Sequence, residues 1–160
     1  MTEGIVLVMR RTVRASAERV FDAWTRPEHL RAWWGPRPVT CCGAEVDLRV
    51  GGRYRIDNSM PDGSVVSIEG EFREIQPHRR LVYTWRMGHG AKESSLVTVR
   101  FEERGDATEV VVVHEQIPSE EVRDTHATGW NGCLDGLAEF FARQLVDKDE
   151  GAAKPPRPQK

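Results

Sequence analysis

Two histidines are the side chains of this sequence best suited to proton chemistry. His114 ends the run VVVVH, and His126 begins the segment HATGWNGCLDGLAEFF. Strand alternation places His114 on the same face as Val112, and helical spacing places His126 in one stripe with Trp130. If that helix lies across the sheet, both imidazoles point into one cavity, whose apolar walls lower their pKa and keep them neutral near pH 7. A neutral histidine can orient a ligand or act as a base; alternatively, each is a buried or mouth-lining histidine satisfied by a local partner.

The other reactive side chains complete neither a catalytic triad nor a metal site. The sequence has serines but no nucleophile-elbow motif, and no His/Cys or His/Asp spacing typical of metal ligands. Cys41, Cys42 and Cys133 are odd in number and lack a CxxC spacing, which indicates reduced thiols. Carboxylates on outward strand positions are typical of a solvated sheet surface: Asp57, Glu69, Glu71 and Glu115. We therefore expect no metal, no cofactor and no paired-carboxylate mechanism.

Aromatic residues offer a second kind of site. Tyr83 and Trp85 share one strand face, with Tyr54 opposite or nearby, and together they supply a large apolar area with few hydrogen-bonding groups. This composition is typical of a small-molecule pocket and equally of a plain aromatic core. Trp33 and Trp34 are adjacent, and a helix cannot bury both equally. We expect one to pack inward and the other to lie near a cavity entrance.

Length and charge restrict the possible function classes. A chain of 160 residues with 39% hydrophobic residues suits one domain with a real core. Its net charge of -2 comes from interleaved acidic and basic residues, so neither nucleic acid nor an anionic membrane is an expected partner. The start, MTEGIVLVMRR, has too short an apolar run for a signal peptide, and no later segment approaches a membrane span. The sequence predicts a cytoplasmic protein.

One strand and two short helices should open the domain. GIVLVMRRTV is rich in β-branched residues and predicts a strand. SAERVFDAW predicts a helix capped by Ser16, with Val20 and Trp24 on one face. RPEHLRAWWGP predicts a second helix that has Pro27 in its first turn and ends at Gly35-Pro36.

Residues 39–115 carry the pattern of six more strands separated by turn signals. The strand segments are VTCCGAEVDL, GRYRIDNS, SVVSIEGEFREI, RLVYTWRM, SLVTVRFEE and TEVVVVHEQ, and their short links predict an antiparallel meander. Alternation gives the inner-face residues: Tyr54, Ile56, Ile68, Gly70, Phe72, Leu81, Tyr83, Trp85, Met87, Val97, Val99, Phe101, Val110, Val112 and His114. The outward partners are largely polar.

A long helix should follow, from about Ser119 to Val146, with Ser119 as N-cap. Residues 147–160 lack apolar periodicity and end in a Pro-rich basic stretch, which predicts a disordered tail after a domain at 1–146. A sheet needs its apolar face covered, and this helix is the only element long enough to do it. The pattern predicts an α+β fold with a curved antiparallel sheet of about seven strands, two short helices after strand 1 and a long C-terminal helix.

Three glycines lie within that helix. Each costs about 1 kcal/mol relative to alanine in a helix interior. At 100° per residue, Gly129, Gly132 and Gly136 lie along one flank, beside Cys133 and Phe140. Their missing side chains allow either a close approach of a neighbouring element or space for a ligand.

Five motifs together resemble those of one superfamily. PEHLRAWWGP, DLRVGGRYRI, DGSVVSIEGEFREIQPHRRLVYTW, SSLVTVRFEERGDATEVVVVHE and HATGWNGCLDGLAEF occur in the order seen in SRPBCC proteins, over about residues 5–146. More narrowly, the chain resembles the bacterial branch similar to the C-terminal domain of the heat-shock-protein-90 ATPase activator. The resemblance implies a helix-grip fold, also called START-like or Bet v 1-like, with an apolar cavity between sheet and C-terminal helix.

The resemblance leaves the activity open, since members bind lipids, polyketides or hormones and some cyclise polyketides. A small apolar or aromatic ligand in the cavity is the leading hypothesis, with binding favoured over catalysis. A polyketide cyclase, a chaperone-associated or stress-response module, and a self-resistance protein of the enediyne-sequestering type are alternatives; a homodimer is possible. The expected ligand contacts are Trp34, Tyr54, Ile56, Phe72, Tyr83, Trp85, Val99, Val112, His114, His126, Trp130 and Cys133.

Overall fold

A computed structural model describes residues 4–35, 39–87 and 94–153 of the protein, with side chains described as far as residue 144. It contains one curved, antiparallel, seven-stranded sheet in the order β1-β7-β6-β5-β4-β3-β2. The meander predicted after the first helices is confirmed, and its last strand, β7, pairs with β1. The strands are β1 Ile5–Val13, β2 Thr40–Val46, β3 Arg53–Ser59, β4 Val65–Gln76, β5 Arg80–Met87, β6 Ser95–Arg104 and β7 Ala107–Ile117.

Three helices cover one side of this sheet: α1 Ala17–Thr25, α2 Pro27–Trp33 and α3 Glu120–Ala153. Both predicted N-caps are confirmed, because the Ser16 hydroxyl accepts from the Arg19 N–H and the Ser119 hydroxyl accepts from the Val122 N–H, each at 3.2 Å. The α3 backbone continues past Val146 to Ala153, and the disordered tail expected at residues 147–160 stays a prediction. Residues 154–160 of that predicted tail lie outside the described residues.

The core lies between the sheet and α3, as strand alternation predicts. The α3 stripe Trp130, Leu134, Leu137 and Phe141 is buried against the inner face of the sheet. All the predicted inner-face residues are buried except Met87, which is 42% exposed because it ends β5 at the margin of the sheet. The α+β helix-grip architecture is therefore confirmed.

The outer face of the sheet is less polar than the sequence predicts. Asp57 does lie there, where it accepts hydrogen bonds from Ser67 at 2.6 Å and Arg55 at 2.8 Å. Val111, however, is fully buried on this face. It pairs across the sheet with Arg10 on one side and Arg100 on the other, and the aliphatic stems of arginines can cover such a neighbour.

A bulge near the end of β7 changes which side chains face the core. Leu7 pairs with His114 and Ile5 with Ile117, so β7 has one residue more than β1 in this interval. Gln116 is the extra residue, and its backbone is in the left-handed region, with a φ of 66°. As a result, Ile117 is fully buried and Gln116 is exposed, the reverse of what uninterrupted alternation after His114 predicts.

No helix in the described part of the chain has both the length and the apolar character needed to cross a membrane.

Candidate ligand-binding site

An apolar pocket of about 290 Å³ lies between α3, Trp34 and strands β3 to β5. It opens at the surface beside Met87, Thr125 and Thr128, whose side chains are exposed. None of the described residues that line it carries a formal charge: Trp34, Val39, Asn58, Met60, Val66, Ile68, Trp85, Met87, Thr125, His126, Thr128, Gly129, Trp130 and Cys133. Such a pocket matches the low end of the size range of small-molecule sites.

Three tryptophans form much of the pocket wall. The Trp85 ring centroid lies 5.2 Å from that of Trp130 and 6.3 Å from that of Trp34. The Trp34 indole N–H donates to Asn58 Oδ1 at 3.1 Å, and the Asn58 amide donates to the carbonyl of Val66 at 3.2 Å. This chain of hydrogen bonds fixes the Trp34 ring against the pocket. Asn58 was missed by sequence reasoning, although it continues the alternation that begins with inward residues of β3.

The expected difference in burial between Trp33 and Trp34 is wrong, because both side chains are buried, although only Trp34 lines the pocket. Trp33 ends α2 and donates its indole N–H to the carbonyl of Ala23 at 2.9 Å. Trp34 has left the helix, with an extended backbone at φ -72° and ψ 141°. The change of backbone direction between them lets one ring pack under α1 while the other packs against the pocket.

His114 lies behind the pocket wall and is fully buried. The Trp130 indole N–H donates to its Nδ1 at 3.0 Å, and its Nε2 lies 2.6 Å from Ser95 Oγ. Because an indole can only donate, Nδ1 must accept and the proton of the neutral imidazole resides on Nε2. Burial, and secondarily the charge of His126, lowers the pKa of His114 to about 3.

This arrangement prevents the Ser95 and His114 pair from acting as a nucleophile and base. Nε2 already holds a proton and donates it to Ser95 Oγ, while the Ser95 hydroxyl points to the carbonyl of Trp85 at 3.4 Å. A base that activates serine needs a free lone pair on the nitrogen that faces the hydroxyl. The pair is therefore a structural hydrogen-bond relay that holds Trp130 in place.

His126 is the histidine that faces the pocket. Its ring stacks on that of His114, with centroids 4.6 Å apart and planes at 16°, and it meets Trp85 edge-on at 5.8 Å. Burial lowers the pKa of His126, so the ring is neutral near pH 7. Within the described residues, neither of its ring nitrogens has a hydrogen-bond partner.

The predicted contact residues divide into three groups. Those that line the pocket are Trp34, Trp85, His126, Trp130 and Cys133. Those around a cleft of only about 20 Å³ are Tyr54, Ile56, Phe72 and Tyr83, together with Trp34 and Trp85. Those fully buried away from both spaces are Val99, Val112 and His114. A cleft of that size holds no more than about one water molecule, so the second group packs as core.

Hydrogen bonds hold the two tyrosines in that core. The Trp24 indole N–H donates to the Tyr83 hydroxyl at 3.2 Å, and the Tyr54 hydroxyl donates to the carbonyl of Thr84 at 2.6 Å. Burial raises the pKa of both phenols above the usual value of 10.0. Neither tyrosine presents a free hydroxyl to the pocket.

The α3 glycines serve different purposes. A Cβ at Gly136 would lie 2.5 Å from the carbonyl oxygen of Trp33, so this glycine lets the end of α2 approach α3 closely. At Gly129 a Cβ would meet nothing within 4 Å, and Gly129 lines the pocket. The close approach of a neighbouring element therefore holds at Gly136, and Gly129 leaves open space beside the pocket.

Alanine substitutions at these two glycines should have opposite effects on stability. Gly129→Ala should raise the free energy of unfolding by up to about 1 kcal/mol, because alanine favours the helix and has room. Gly136→Ala should lower it by about 1–3 kcal/mol, because the added methyl group displaces the α2 backbone. Urea unfolding of both variants measures the difference. Equal effects would contradict the contrast in packing.

The cysteines and carboxylates of the described residues form no metal site: no group of three or more potential ligands among them is close enough to hold an ion. All three cysteines are free thiols. Burial raises the pKa of Cys133 to about 12, which keeps it protonated and unreactive against the pocket wall.

The comparisons with known proteins agree with this architecture. A family model described as "Activator of Hsp90 ATPase homolog 1-like protein" matches residues 14–142. No curated protein matches the sequence. A solved structure from Chromobacterium violaceum is 27% identical, with a TM-score of 0.77 over 85% of this chain and 96% of that chain.

Two further solved structures are similar over most of their length. A Rhizobium leguminosarum protein is 27% identical, with a TM-score of 0.74 over 88% of this chain and 96% of that one. The AHSA1 protein of Silicibacter pomeroyi is 20% identical, with a TM-score of 0.79 over 88% of this chain and 99% of that one, a likeness of fold alone. Because the family model spans most of the chain, this protein belongs to the family of activator of Hsp90 ATPase homolog 1-like proteins, which is of the SRPBCC type.

Proposed function

We propose that this protein binds a small apolar or aromatic ligand in the pocket between α3 and the sheet. The observation that carries the proposal is a pocket of about 290 Å³ whose lining, as far as the structure describes the chain, includes no charged side chain. An apolar protein cavity of about 150 Å³ is large enough for benzene. A pocket about twice that size suits a ligand of two or three fused rings.

The chemistry of the wall supports an aromatic ligand. Trp34, Trp85 and Trp130 present broad, polarizable surfaces, and Met60 and Met87 add flexible thioethers that pack well against rings. Gly129 supports the proposal further, because its missing side chain keeps this part of the pocket open at a cost in helix stability.

A polyketide-cyclase function would depend on a proton-transfer group in the pocket. His114 is excluded from that role by its burial and by the hydrogen bonds on both of its nitrogens. His126 is the one histidine among the described pocket residues. Binding without turnover needs no proton-transfer group, so this site supports binding better than it supports catalysis.

Filling the pocket from Gly129 should weaken ligand binding. Isothermal titration calorimetry with naphthalene measures occupancy of the pocket directly. We expect Gly129→Leu to weaken naphthalene binding at least about tenfold, since its side chain occupies the ligand volume, while thermal stability is retained.

The matched control is Ala142→Leu, which adds leucine at an exposed position of the same helix. It should bind naphthalene as the wild type does. Equal binding by wild type and Gly129→Leu, or no binding by the wild type, would contradict the proposal. Native mass spectrometry of freshly purified protein, compared under gentle and denaturing conditions, then tests for a co-purified small molecule.

A further inference from the structure

We infer that the ligand is an uncharged aromatic molecule carrying a hydroxyl or carbonyl group that hydrogen-bonds to His126. The inference rests on the proposed function and specifies the chemistry of the ligand. Two observations carry it: the absence of charge in the described pocket lining, and the unfilled hydrogen-bonding capacity of one side chain in that lining.

The uncharged lining selects against ionised ligands. A carboxylate, phosphate or ammonium group inside the pocket would lose its hydration, and among the described residues no lysine, arginine, aspartate or glutamate lines the pocket to pair with it. A buried and unpaired charge is among the most unfavourable groups a protein can accommodate. Free fatty acids and nucleotides therefore fit this pocket poorly unless their charged groups remain outside it.

Most polar side chains of the pocket are already paired. Asn58 accepts from Trp34 and donates to the backbone carbonyl of Val66. The hydroxyls of Thr125 and Thr128 donate to backbone carbonyls one helical turn earlier, at 3.1 Å and 3.2 Å. These three side chains offer a ligand little hydrogen bonding.

Two ring side chains in the lining remain unpaired among the described residues. The Trp85 Nε1–H has no partner, but that atom is completely covered by neighbouring groups. His126 is only partly buried, lines the pocket, and presents a neutral imidazole with one donor and one acceptor. A pure hydrocarbon would displace water from this imidazole without forming a hydrogen bond to it. A hydroxyl or carbonyl group would replace the hydrogen bond that the imidazole makes with water in the free protein.

The flat walls complete the description of the ligand. His126 is stacked on His114 and meets Trp85 edge-on, so its ring plane is fixed before any ligand arrives. A hydrogen bond to a fixed ring selects the orientation of a planar ligand held among Trp34, Trp85 and Trp130.

Three probes of similar shape test the inference: naphthalene, 2-naphthol and 2-naphthoate, each titrated near pH 7 with isothermal titration calorimetry as the readout. At this pH the naphthol is neutral and the naphthoate is ionised. We expect wild-type protein to bind 2-naphthol about tenfold more tightly than naphthalene. It should bind 2-naphthoate on the order of 100-fold more weakly than 2-naphthol.

Variants then locate the preference for the hydroxyl group. His126→Leu should bind naphthalene and 2-naphthol with equal affinity, and His126→Gln, which can still accept and donate, should restore part of the preference. His78→Asn, which replaces an exposed histidine outside the pocket, should leave the preference as in the wild type.

The failure of this inference and the failure of the proposed function give different results. Wild-type binding of naphthalene with no preference for 2-naphthol, or equal binding of 2-naphthoate, would overturn the inference and leave the proposed function standing. A preference that survives in His126→Leu would also overturn it. Failure of all three probes to bind the wild type would overturn both.

Discussion

Lowering the pH from 8 to 5 should reduce the free energy of unfolding of this protein by about 2 kcal/mol, because His114 is buried in its neutral form. Burial lowers its pKa from 6.5 to about 3 in the folded protein. Between these values the unfolded chain binds a proton at His114 that the folded protein does not. Stability is therefore constant above about pH 6.5 and is lost as the pH falls from 6.5 towards 3. The pKa of His126 is lowered too, which adds an effect of the same sign.

Urea unfolding at a series of pH values measures this loss. The range from pH 8 to 5 lies above the ordinary pKa of a carboxyl side chain, about 4, and the pKa of Asp57 is lowered further by its hydrogen bonds to Ser67 and Arg55. His114→Asn can still accept the hydrogen bond of Trp130 but does not titrate, so its stability should depend less on pH in this range.

The matched control for His114→Asn is His78→Asn, which replaces an exposed histidine and should retain the wild-type pH dependence. A wild-type protein equally stable at pH 8 and pH 5 would contradict the burial of a neutral His114.

Replacing Gly70 by alanine should destabilise the protein more than alanine at Gly129 or at Gly136. A Cβ at Gly70 would lie 1.9 Å from the carbonyl oxygen of Thr84 and 2.7 Å from its carbon. Backbone cannot turn aside as a flexible side chain does, so β4 and β5 must separate. The same Thr84 carbonyl accepts the Tyr54 hydroxyl, and the Thr84 hydroxyl accepts the Glu71 N–H at 2.9 Å. We expect a loss of about 3 kcal/mol or more, or failure to fold.

Thermal unfolding and the yield of soluble protein measure this effect. The control is Gly129→Ala, the same chemical change at a glycine with open space around it. If Gly70→Ala unfolds at the wild-type temperature, the close approach of Thr84 to Gly70 is incorrect.

Local patterns in the sequence were sufficient to predict the architecture. Alternation along β3 to β7 identified the inner face because successive strand side chains must point to opposite sides. Ser16, Pro27 and Ser119 marked helix starts because capping and proline geometry act within one turn. The same local rules failed at Gln116, where a bulge reverses the alternation. They also failed at Trp34, because α2 ends at Trp33 and the backbone of Trp34 is extended.

The division of the inner face into core and pocket was decided only by the tertiary structure. Tyr83 and Trp85 are alike in the sequence, yet Trp85 lines the pocket and Tyr83 packs beside it in the core. Similarly, Gly136 meets the carbonyl of Trp33 while Gly129 faces open space. The sequence by itself determined the elements, their faces and the family, because periodicity and capping depend on neighbours along the chain. It did not determine which side chains border the pocket, since that depends on where α3 and Trp34 cross the sheet, a matter of contacts between residues far apart in the chain.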